Sequence, residues 1–245
     1  MFVKRLFDFL VAACALVVTS PLLLAVALAI YLQDFHNPLY IANRVGRGKV
    51  PFRMVKFRSM VVNADRTGVT STSAVDRRIT PMGHFVRRYK LDEVVQLWNV
   101  FRGDMSLVGP RPNVPSGVAV YTSEEQRLLS VRPGITDIAS IVFADEGEIL
   151  SDHADADAAY DRLIRPWKSR LGLFYIDNQS LWLDLQLIGY TVVAILSREA
   201  ALARVARLIQ GRGAASELVR VATRKEDLVP STPPGANPAT VSSRL

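Results

Sequence analysis

The hydrophobic pattern begins with a nearly continuous apolar segment between Leu6 and Leu32. This segment is long enough to cross a bilayer, which requires about 20 apolar residues. A secretory signal peptide has a shorter apolar core, of about 7–15 residues, and a small-residue cleavage site, and the segment fits neither feature. The pattern therefore predicts a helix that is associated with a membrane.

Two further features favour a re-entrant path over a straight transmembrane helix, which is the alternative. Ser20-Pro21 lies near the middle of the segment, where proline removes a backbone donor and disfavours helical geometry at the preceding residue. Positive charges flank the segment on both sides, and such charges are retained in the cytoplasm. They are Lys4, Arg5, Arg44, Arg47, Lys49 and Arg53. We therefore predict that residues 1–36 form a membrane helix that bends at Ser20-Pro21 and returns to the same side.

Two short runs of alternating apolar and polar residues follow, and a basic turn that contains glycine separates them. The runs begin at Leu39 and Phe52 and predict a β-hairpin. Because side chains alternate along a strand, Lys56 and Arg58 fall on one face of the second run. We predict that these two cations bind an anion together; a solvated polar face is the alternative.

The next segment, residues 63–78, is rich in Thr, Ser, Asp and Gly, has little periodicity and predicts a loop. A helix is predicted to follow it, since Thr80 is a suitable N-cap and Pro81 suits the first helical position. Apolar residues then recur at helical spacing and predict one further helix with a single buried face. They are Leu91, Val94, Val95, Trp98 and Phe101.

Two adjacent carboxylates, Asp92 and Glu93, would leave the first turn of that helix. The partial positive charge of a helix N-terminus stabilises ionised carboxylates and attracts phosphate groups. Acidic residues are also common in first turns without any catalytic role. Paired carboxylates alone therefore do not define a site.

The segment that follows supplies the positive charge that a phosphate site needs. Pro110 and Pro112 hold the chain extended on either side of Arg111, whose guanidinium suits bidentate phosphate binding. Arg87 adds a second positive charge shortly before the acidic pair. Clustered arginines beside carboxylates are the groups that phosphoryl transfer requires.

Composition narrows the class of protein. The chain has 245 residues and a formal net charge of +7, which is compatible with nucleic acid, anionic lipid or phosphorylated substrates. A nucleic-acid binder is disfavoured, because the basic residues are dispersed and no reader motif is present. The single cysteine, Cys14, excludes an intramolecular disulfide and a cysteine-based zinc site.

The C-terminal part is predicted to add helices and a tail. His153 lies among four aspartates between residues 151 and 161, where a solvated helical face and a metal site are alternatives. A hydrophobic helix is predicted for residues 180–197. Residues 198–228 predict a basic amphipathic helix that lies in a membrane interface or packs against another helix. Residues 229–245 are rich in Pro, Ser and Thr and predict a disordered tail.

Several short motifs, in order and at characteristic spacing, resemble the bacterial sugar transferases, the monotopic polyprenyl-phosphate phosphoglycosyl transferases. The motifs are Lys56-Phe57-Arg58-Ser59-Met60, Arg78-Ile79-Thr80-Pro81-Met82-Gly83, Leu91-Asp92-Glu93, Gln96-Leu97-Trp98-Asn99-Val100, Gly103-Asp104-Met105-Ser106-Leu107-Val108-Gly109-Pro110-Arg111-Pro112, Pro133-Gly134-Ile135-Thr136, and Tyr175-Ile176-Asp177-Asn178-Gln179-Ser180 with Asp184. The resemblance implies an α+β, mostly helical fold with a re-entrant membrane helix broken at Ser-Pro, a small hairpin and interfacial amphipathic helices. Residues 37–197 would form the catalytic domain.

The resemblance also implies chemistry at the bacterial inner membrane, with the catalytic domain on the cytoplasmic face. It implies a UDP-sugar donor, a polyprenyl (undecaprenyl) phosphate acceptor and Mg²⁺, while a homo-oligomer stays open. Asp92 would be the nucleophile that forms a covalent phosphosugar intermediate, and both carboxylates would be metal ligands, with Glu93 alternatively orienting the acceptor. The cations that would hold phosphate oxygens are Lys56, Arg58, Arg87 and Arg111.

The chain departs from the family pattern at three places. Val94-Val95 stands where Leu-Pro is usual, Asp137 replaces a usual glycine, and Gly172 replaces a common aspartate. These departures affect the expected substrate more than the expected activity. The rival functions are a metal-dependent lipid-phosphate phosphohydrolase and a non-catalytic peripheral membrane scaffold.

Overall fold

The computed structural model describes residues 2–64 and 76–236 and has the predicted α+β, mostly helical fold. The strands are β1 (Leu39–Val45), β2 (Pro51–Phe57), β3 (Ser106–Val108) and β4 (Gly134–Thr136). The helices before β4 are α1 (Phe2–Asp34), α2 (Pro81–Arg88), α3 (Leu91–Val94), α4 (Leu97–Arg102) and α5 (Pro115–Ala119). The helices after β4 are α6 (Ile138–Val142), α7 (Glu146–Ser151), α8 (Ala156–Ala159), α9 (Arg165–Asp177), α10 (Leu181–Leu196), α11 (Arg198–Gly211) and α12 (Ser216–Thr223). Most of the predicted loop, residues 65–75, lies outside the described residues.

The apolar N-terminal segment forms one helix, α1, of 33 residues. In the described part of the chain it is the one helix long and apolar enough to cross a membrane. Pro21 lies inside it, so the predicted break does not divide the segment into two helices. Pro21 has no N–H to donate to the carbonyl of Val17, and the Ser20 hydroxyl donates to that oxygen instead, at 2.7 Å. The Ser-Pro step therefore leaves the affected carbonyl with a partner.

Both ends of α1 pack against the same folded domain. Ala12, in the first half, lies in the main hydrophobic core, and Asp8 accepts hydrogen bonds from the β3 segment. Val26 and Ile30, in the second half, form a smaller cluster with residues of β2 and α2. The apolar side chains between the two halves are exposed; they include Val17, Val18, Leu22 and Leu24. Both halves of α1 therefore contact the same domain, and its exposed apolar middle lies between them.

The predicted β-hairpin is confirmed. β1 and β2 pair antiparallel, from Leu39 opposite Phe57 to Val45 opposite Pro51. Asn99 of α4 fixes the second strand, because its Oδ1 accepts from the backbone of β2 at 2.9 Å and its Nδ2 donates to it at 2.8 Å. The side chains of β2 are thereby placed next to the α3–α4 segment.

A short parallel pairing of β3 with β4 places the proline-flanked arginine. Gly109 and Gly134 approach so closely that a Cβ on Gly134 would lie 2.1 Å from the Gly109 nitrogen. The pairing continues through the Gly134 N–H, which donates to the carbonyl of Pro110 at 3.1 Å. Glycine at these two positions therefore allows the segment that carries Arg111 to lie against β4.

The single helix predicted from Leu91 to Phe101 is wrong in two respects. The chain forms two short helices, α3 and α4, and the buried positions are Gln96, Leu97, Asn99 and Val100. The helix restarts at Leu97, and Trp98 of the predicted stripe is 46% exposed, whereas the other four positions are half-buried and pack against the two hydrophobic clusters. Trp98 stacks on Phe101, which stacks on Phe9 of α1 with ring centroids 4.9 Å apart. Trp98 therefore faces solvent beside α1, while the other positions of the stripe contact the interior as predicted.

The predicted amphipathic helix over residues 198–228 consists of two helices, α11 and α12. Of its two alternatives, packing against protein helices is the arrangement found, since the apolar face of α11 joins the main core beside α6 and α10. The prediction of disorder is wrong for residues 229–236. The carbonyl of Val229 accepts from the Trp167 indole at 3.4 Å, and the Ser231 N–H donates to the Arg162 carbonyl at 3.0 Å. Residues 237–245 lie outside the described part.

Candidate active site

A sharp turn between α2 and α3 brings Arg87 towards the acidic pair. α2 begins as predicted, with the Thr80 hydroxyl accepting from the Gly83 N–H at 3.0 Å and Pro81 in the first turn. Lys90 then adopts a left-handed conformation, with φ of 53°, and α3 follows directly. Because α3 is only four residues long, burial and neighbouring charges rather than a helix dipole determine the pKa values of Asp92 and Glu93.

Glu93 is paired with the proline-flanked arginine. Its Oε1 lies 2.6 Å from Nη2 of Arg111. Burial alone would raise the pKa of Glu93, but the charges of Arg111, Lys90 and Lys56 outweigh it and lower that pKa to about 2. The Glu93 charge in turn raises the pKa of Arg111. The Arg111 side chain is still 38% exposed, so it can contact a ligand as well as Glu93.

Asp92 has a different environment although it is the next residue. Burial and the neighbouring charge of Glu93 raise its pKa, and the charges of Lys56, Arg111 and Arg87 oppose that rise without cancelling it. Among the described residues Asp92 makes no ion pair within 4 Å, whereas Glu93 does. Asp92 is therefore a partly desolvated carboxylate that no Lys or Arg of the described residues contacts directly.

The predicted cations Lys56 and Arg87 lie around this carboxylate. Burial, followed by the charge of Arg111, lowers the pKa of Lys56 to about 8. Burial also lowers the pKa of Arg87, whose Nε donates to the Ser59 hydroxyl at 2.9 Å. Neither cation has an acidic partner within 4 Å in the part of the chain that the structure describes. Buried positive charge without a paired acid suits an anionic ligand.

Arg44 joins these cations and was not predicted as a site residue. The hairpin register pairs Tyr40 with Lys56 and Arg44 with Phe52, so Arg44 shares the face of the hairpin that carries Lys56. Burial and then the charge of Arg111 lower the pKa of Arg44. Alternation along the first strand was the sequence signal that could have identified it.

The predicted pairing of Lys56 with Arg58 is wrong. Arg58 makes two 2.6 Å hydrogen bonds to the carboxylate of Asp34, at the end of α1. Its Nε donates to the Asn37 carbonyl at 2.8 Å. The strand ends at Phe57, so the alternation of side chains does not extend to residue 58. Arg58 therefore anchors the end of α1 instead of contributing to the acidic site.

For the acidic segment around His153, the structure favours a solvated face over a metal site. His153 is exposed, and its Nδ1 lies 2.9 Å from the Ile149 carbonyl oxygen. Within residues 2–64 and 76–236, no group of three or more His, Cys, Asp or Glu side chains is arranged to hold a metal ion. Asp92 and Glu93 are two carboxylates, so an ion there would complete its shell with water or substrate oxygens.

Two of the departures from the expected motifs have structural consequences. Asp137 is buried and caps α6, where its side chain accepts from the Ser140 N–H at 2.6 Å. Gly172 lies where an added Cβ would be 3.6 Å from the Cβ of Pro110 and 2.8 Å from the Leu128 side chain. A side chain at position 172 would therefore compete for space next to the Arg111 segment.

Comparisons with known proteins give consistent results. A family model described as bacterial sugar transferase matches residues 1–198. The chain is 37% identical, over 80% of its length and 44% of the relative's, to UDP-N-acetylgalactosamine-undecaprenyl-phosphate N-acetylgalactosaminephosphotransferase from Aeromonas hydrophila. It is 37% identical, over 82% of its length and 37% of the relative's, to undecaprenyl-phosphate glucose phosphotransferase from Komagataeibacter xylinus.

A shorter relative is covered more completely. The chain is 34% identical to UDP-glucose:undecaprenyl-phosphate glucose-1-phosphate transferase from Caulobacter vibrioides, over 81% of its own length and 71% of that protein. The chain therefore spans less than half of the Aeromonas and Komagataeibacter proteins and more than two thirds of the Caulobacter protein.

Proposed function

The chain belongs to the bacterial sugar transferase family, and on this premise we propose that it transfers a sugar-1-phosphate from a UDP-sugar to a polyprenyl phosphate. The names of the Aeromonas and Caulobacter relatives contain this donor class and undecaprenyl phosphate as acceptor. The observation that carries the proposal is the half-buried Asp92 carboxylate, without a direct ion pair among the described residues, beside Lys56, Arg87 and Arg111.

We propose that Asp92 acts as the nucleophile. A carboxylate oxygen attacks the phosphorus that bears the sugar, and the bond between that phosphorus and the bridging oxygen of UMP breaks. UMP leaves with the electron pair, and an aspartyl-phosphosugar remains. An oxygen of the lipid phosphate then attacks the same phosphorus and releases the Asp92 carboxylate, which gives a lipid diphosphosugar. Two easier displacements replace one difficult displacement.

Positive side chains would reduce the repulsion between the Asp92 carboxylate and the donor diphosphate that it attacks. Lys56, Arg87 and Arg111 would hold the non-bridging phosphate oxygens and neutralise charge that develops during transfer. Glu93 keeps Arg111 in place through the 2.6 Å ion pair. Glu93 is thus a positioning residue for the phosphate site in addition to its proposed part in metal binding.

We also propose Mg²⁺ as the cofactor, with Asp92 and Glu93 as its protein ligands. The donor set fits, since Mg²⁺ commonly takes one or two carboxylates and otherwise keeps water and substrate phosphate oxygens. When bound, the ion would neutralise diphosphate charge and stabilise the departing UMP.

We further propose that α1 enters the bacterial inner membrane from the cytoplasmic face and returns to it. The exposed apolar middle of the helix would lie in the lipid, and both of its ends would stay with the domain. The basic residues that flank the segment favour a cytoplasmic location for both ends. The acidic site would then face the headgroup of a lipid phosphate at the membrane surface.

The test uses the purified full chain in nanodiscs, with a panel of UDP-sugars, Mg²⁺ and undecaprenyl phosphate. We expect sustained UMP release only with the lipid phosphate, no more than one UMP per enzyme without it, and formation of a lipid diphosphosugar. Phosphate release from the lipid without any UDP-sugar would favour a phosphohydrolase. Binding of anionic lipid without turnover of any donor would favour a membrane scaffold.

A pH dependence follows from the lowered pKa of Lys56. The Lys56 side chain attracts phosphate only in its protonated form. Its contribution to donor binding is therefore present below about pH 8 and is lost as the pH rises through that value. Between pH 7 and pH 9 we expect the KM for the donor to rise about tenfold. Lys56→Arg, which stays charged, should flatten this rise, and Lys56→Met should raise KM at every pH. A wild-type KM that is constant to pH 9 would contradict the assignment.

A further inference from the structure

A second cluster of polar side chains is not used by the reaction described above. Lys168 of α9 forms an ion pair with Glu146 at the start of α7. Its ammonium lies over the ring of Tyr160, 5.3 Å from the centroid. Tyr160 begins a π-helical turn, Tyr160–Ile164, and such turns are rare and frequent at functional sites.

The cluster lies beside the segment that carries Arg111. Lys168 and Gly172 are one turn apart on α9 and therefore share a face of the helix. Gly172 lies close to the side chain of Pro110, so this face is directed at the Pro110-Arg111 segment. The electrostatics of Arg111 support this proximity, since the charge of Glu146 adds to that of Glu93 in raising the pKa of Arg111. Arg111 is therefore next to both the acidic pair and this cluster.

The chemistry of the cluster suits a neutral polar ligand. Lys168 and Glu146 neutralise each other, so the pair offers ammonium donors and carboxylate acceptors without net charge. A further phosphate would need net positive charge, whereas sugar hydroxyls both donate and accept hydrogen bonds. The two side chains are 19% and 32% exposed, so a ligand can reach them.

We propose that the Lys168–Glu146 pair, held beside the ring of Tyr160, binds hydroxyl groups of the donor's sugar and determines which UDP-sugar is used. This inference rests on the proposed function, because it assigns the sugar subsite of that same reaction. Two hydrophobic side chains in place of Lys168 and Glu146 could fill the same space, but they could not form hydrogen bonds with sugar hydroxyls.

The test compares kcat/KM for two UDP-sugars that the wild type uses and that differ at one hydroxyl group. In Glu146→Gln and in Lys168→Met, we expect the ratio of the two kcat/KM values to change at least about tenfold, as expected when a buried hydrogen bond to a substrate hydroxyl is lost. Inhibition by UMP should stay within about twofold. Arg127→Gln, which breaks the exposed ion pair with Asp177, is the matched control and should leave the ratio unchanged.

A charge exchange separates recognition from a purely structural role. Glu146→Lys combined with Lys168→Glu restores an ion pair but exchanges the positions of donor and acceptor. We expect a Tm near that of the wild type, and a ratio of the two kcat/KM values that still differs from the wild-type ratio. A ratio that returns to the wild-type value, or single variants that slow all sugars equally, would overturn the inference while leaving the proposed function intact. A wild type that turns over no UDP-sugar would overturn both.

Discussion

Replacing Asp92 by Asn is expected to lower kcat by at least about 10⁴-fold, because the amide has no anionic oxygen to attack phosphorus. The substitution keeps the shape of the side chain and removes a charge that burial already disfavours. The fold should therefore survive, and we expect a Tm equal to or above that of the wild type. Release of UMP in the presence of lipid phosphate measures turnover.

A mass measurement connects this loss to the covalent step. Incubation with donor but without acceptor should add one sugar-phosphate to a peptide that contains Asp92 in the wild type, and nothing in Asp92→Asn. Asp161→Asn, at an exposed aspartate, is the matched control and should retain both turnover and the adduct. An Asp92→Asn protein that turns over donor at a rate close to the wild type would refute the covalent scheme.

The two adjacent carboxylates are expected to differ in role because their surroundings drive their pKa values apart. Glu93, bound to Arg111, has a pKa lowered to about 2 and is a fixed anion. Asp92 has a raised pKa and no ion pair within 4 Å among the described residues. A carboxylate that is less stabilised by direct contacts is the better nucleophile of the two. The family resemblance implied the same role for Asp92, and the difference between the two pKa values supplies a physical reason for it.

Local features of this chain were predictable from its sequence. The hairpin followed from alternation around a turn, and the start of α2 followed from Thr80-Pro81, because such signals act over a few residues. The acidic pair and Arg111 were identified from residue type and spacing. These predictions needed no knowledge of distant contacts.

Other features depend on contacts between distant segments. The periodicity from Leu91 onward gave no sign that Lys90 adopts a left-handed turn or that the helix restarts at Leu97. Arg58 looked equivalent to Lys56, and only the packing of α1 shows that Asp34 binds it. The ion pair of Glu93 with Arg111 requires the hairpin, α3 and the β3–β4 pairing to be in place together. Such tertiary contacts override local patterns.

The second large effect is expected at Arg111. Arg111→Met removes both a phosphate-binding group and the partner of Glu93, and we expect kcat/KM to fall about 10²–10³-fold, the range typical of losing one preorganised donor in a transition state. Arg111→Lys keeps the charge but not the two-pronged geometry, so it should recover only part of this loss.

A double-variant comparison distinguishes the two roles of Arg111. If it acts mainly by holding Glu93, then Glu93→Gln and Arg111→Met should each cost as much as the two combined. If it also binds phosphate directly, as its 38% exposed side chain allows, Arg111→Met should cost more than Glu93→Gln and should raise the KM for the donor as well. We expect the second result.

Thermal unfolding of each variant in the same nanodiscs provides the control, since loss of activity counts only where the fold persists. A folded Arg111→Met protein with kcat/KM within threefold of the wild type would remove Arg111 from the site, and with it the reason for placing transferred phosphate beside Asp92.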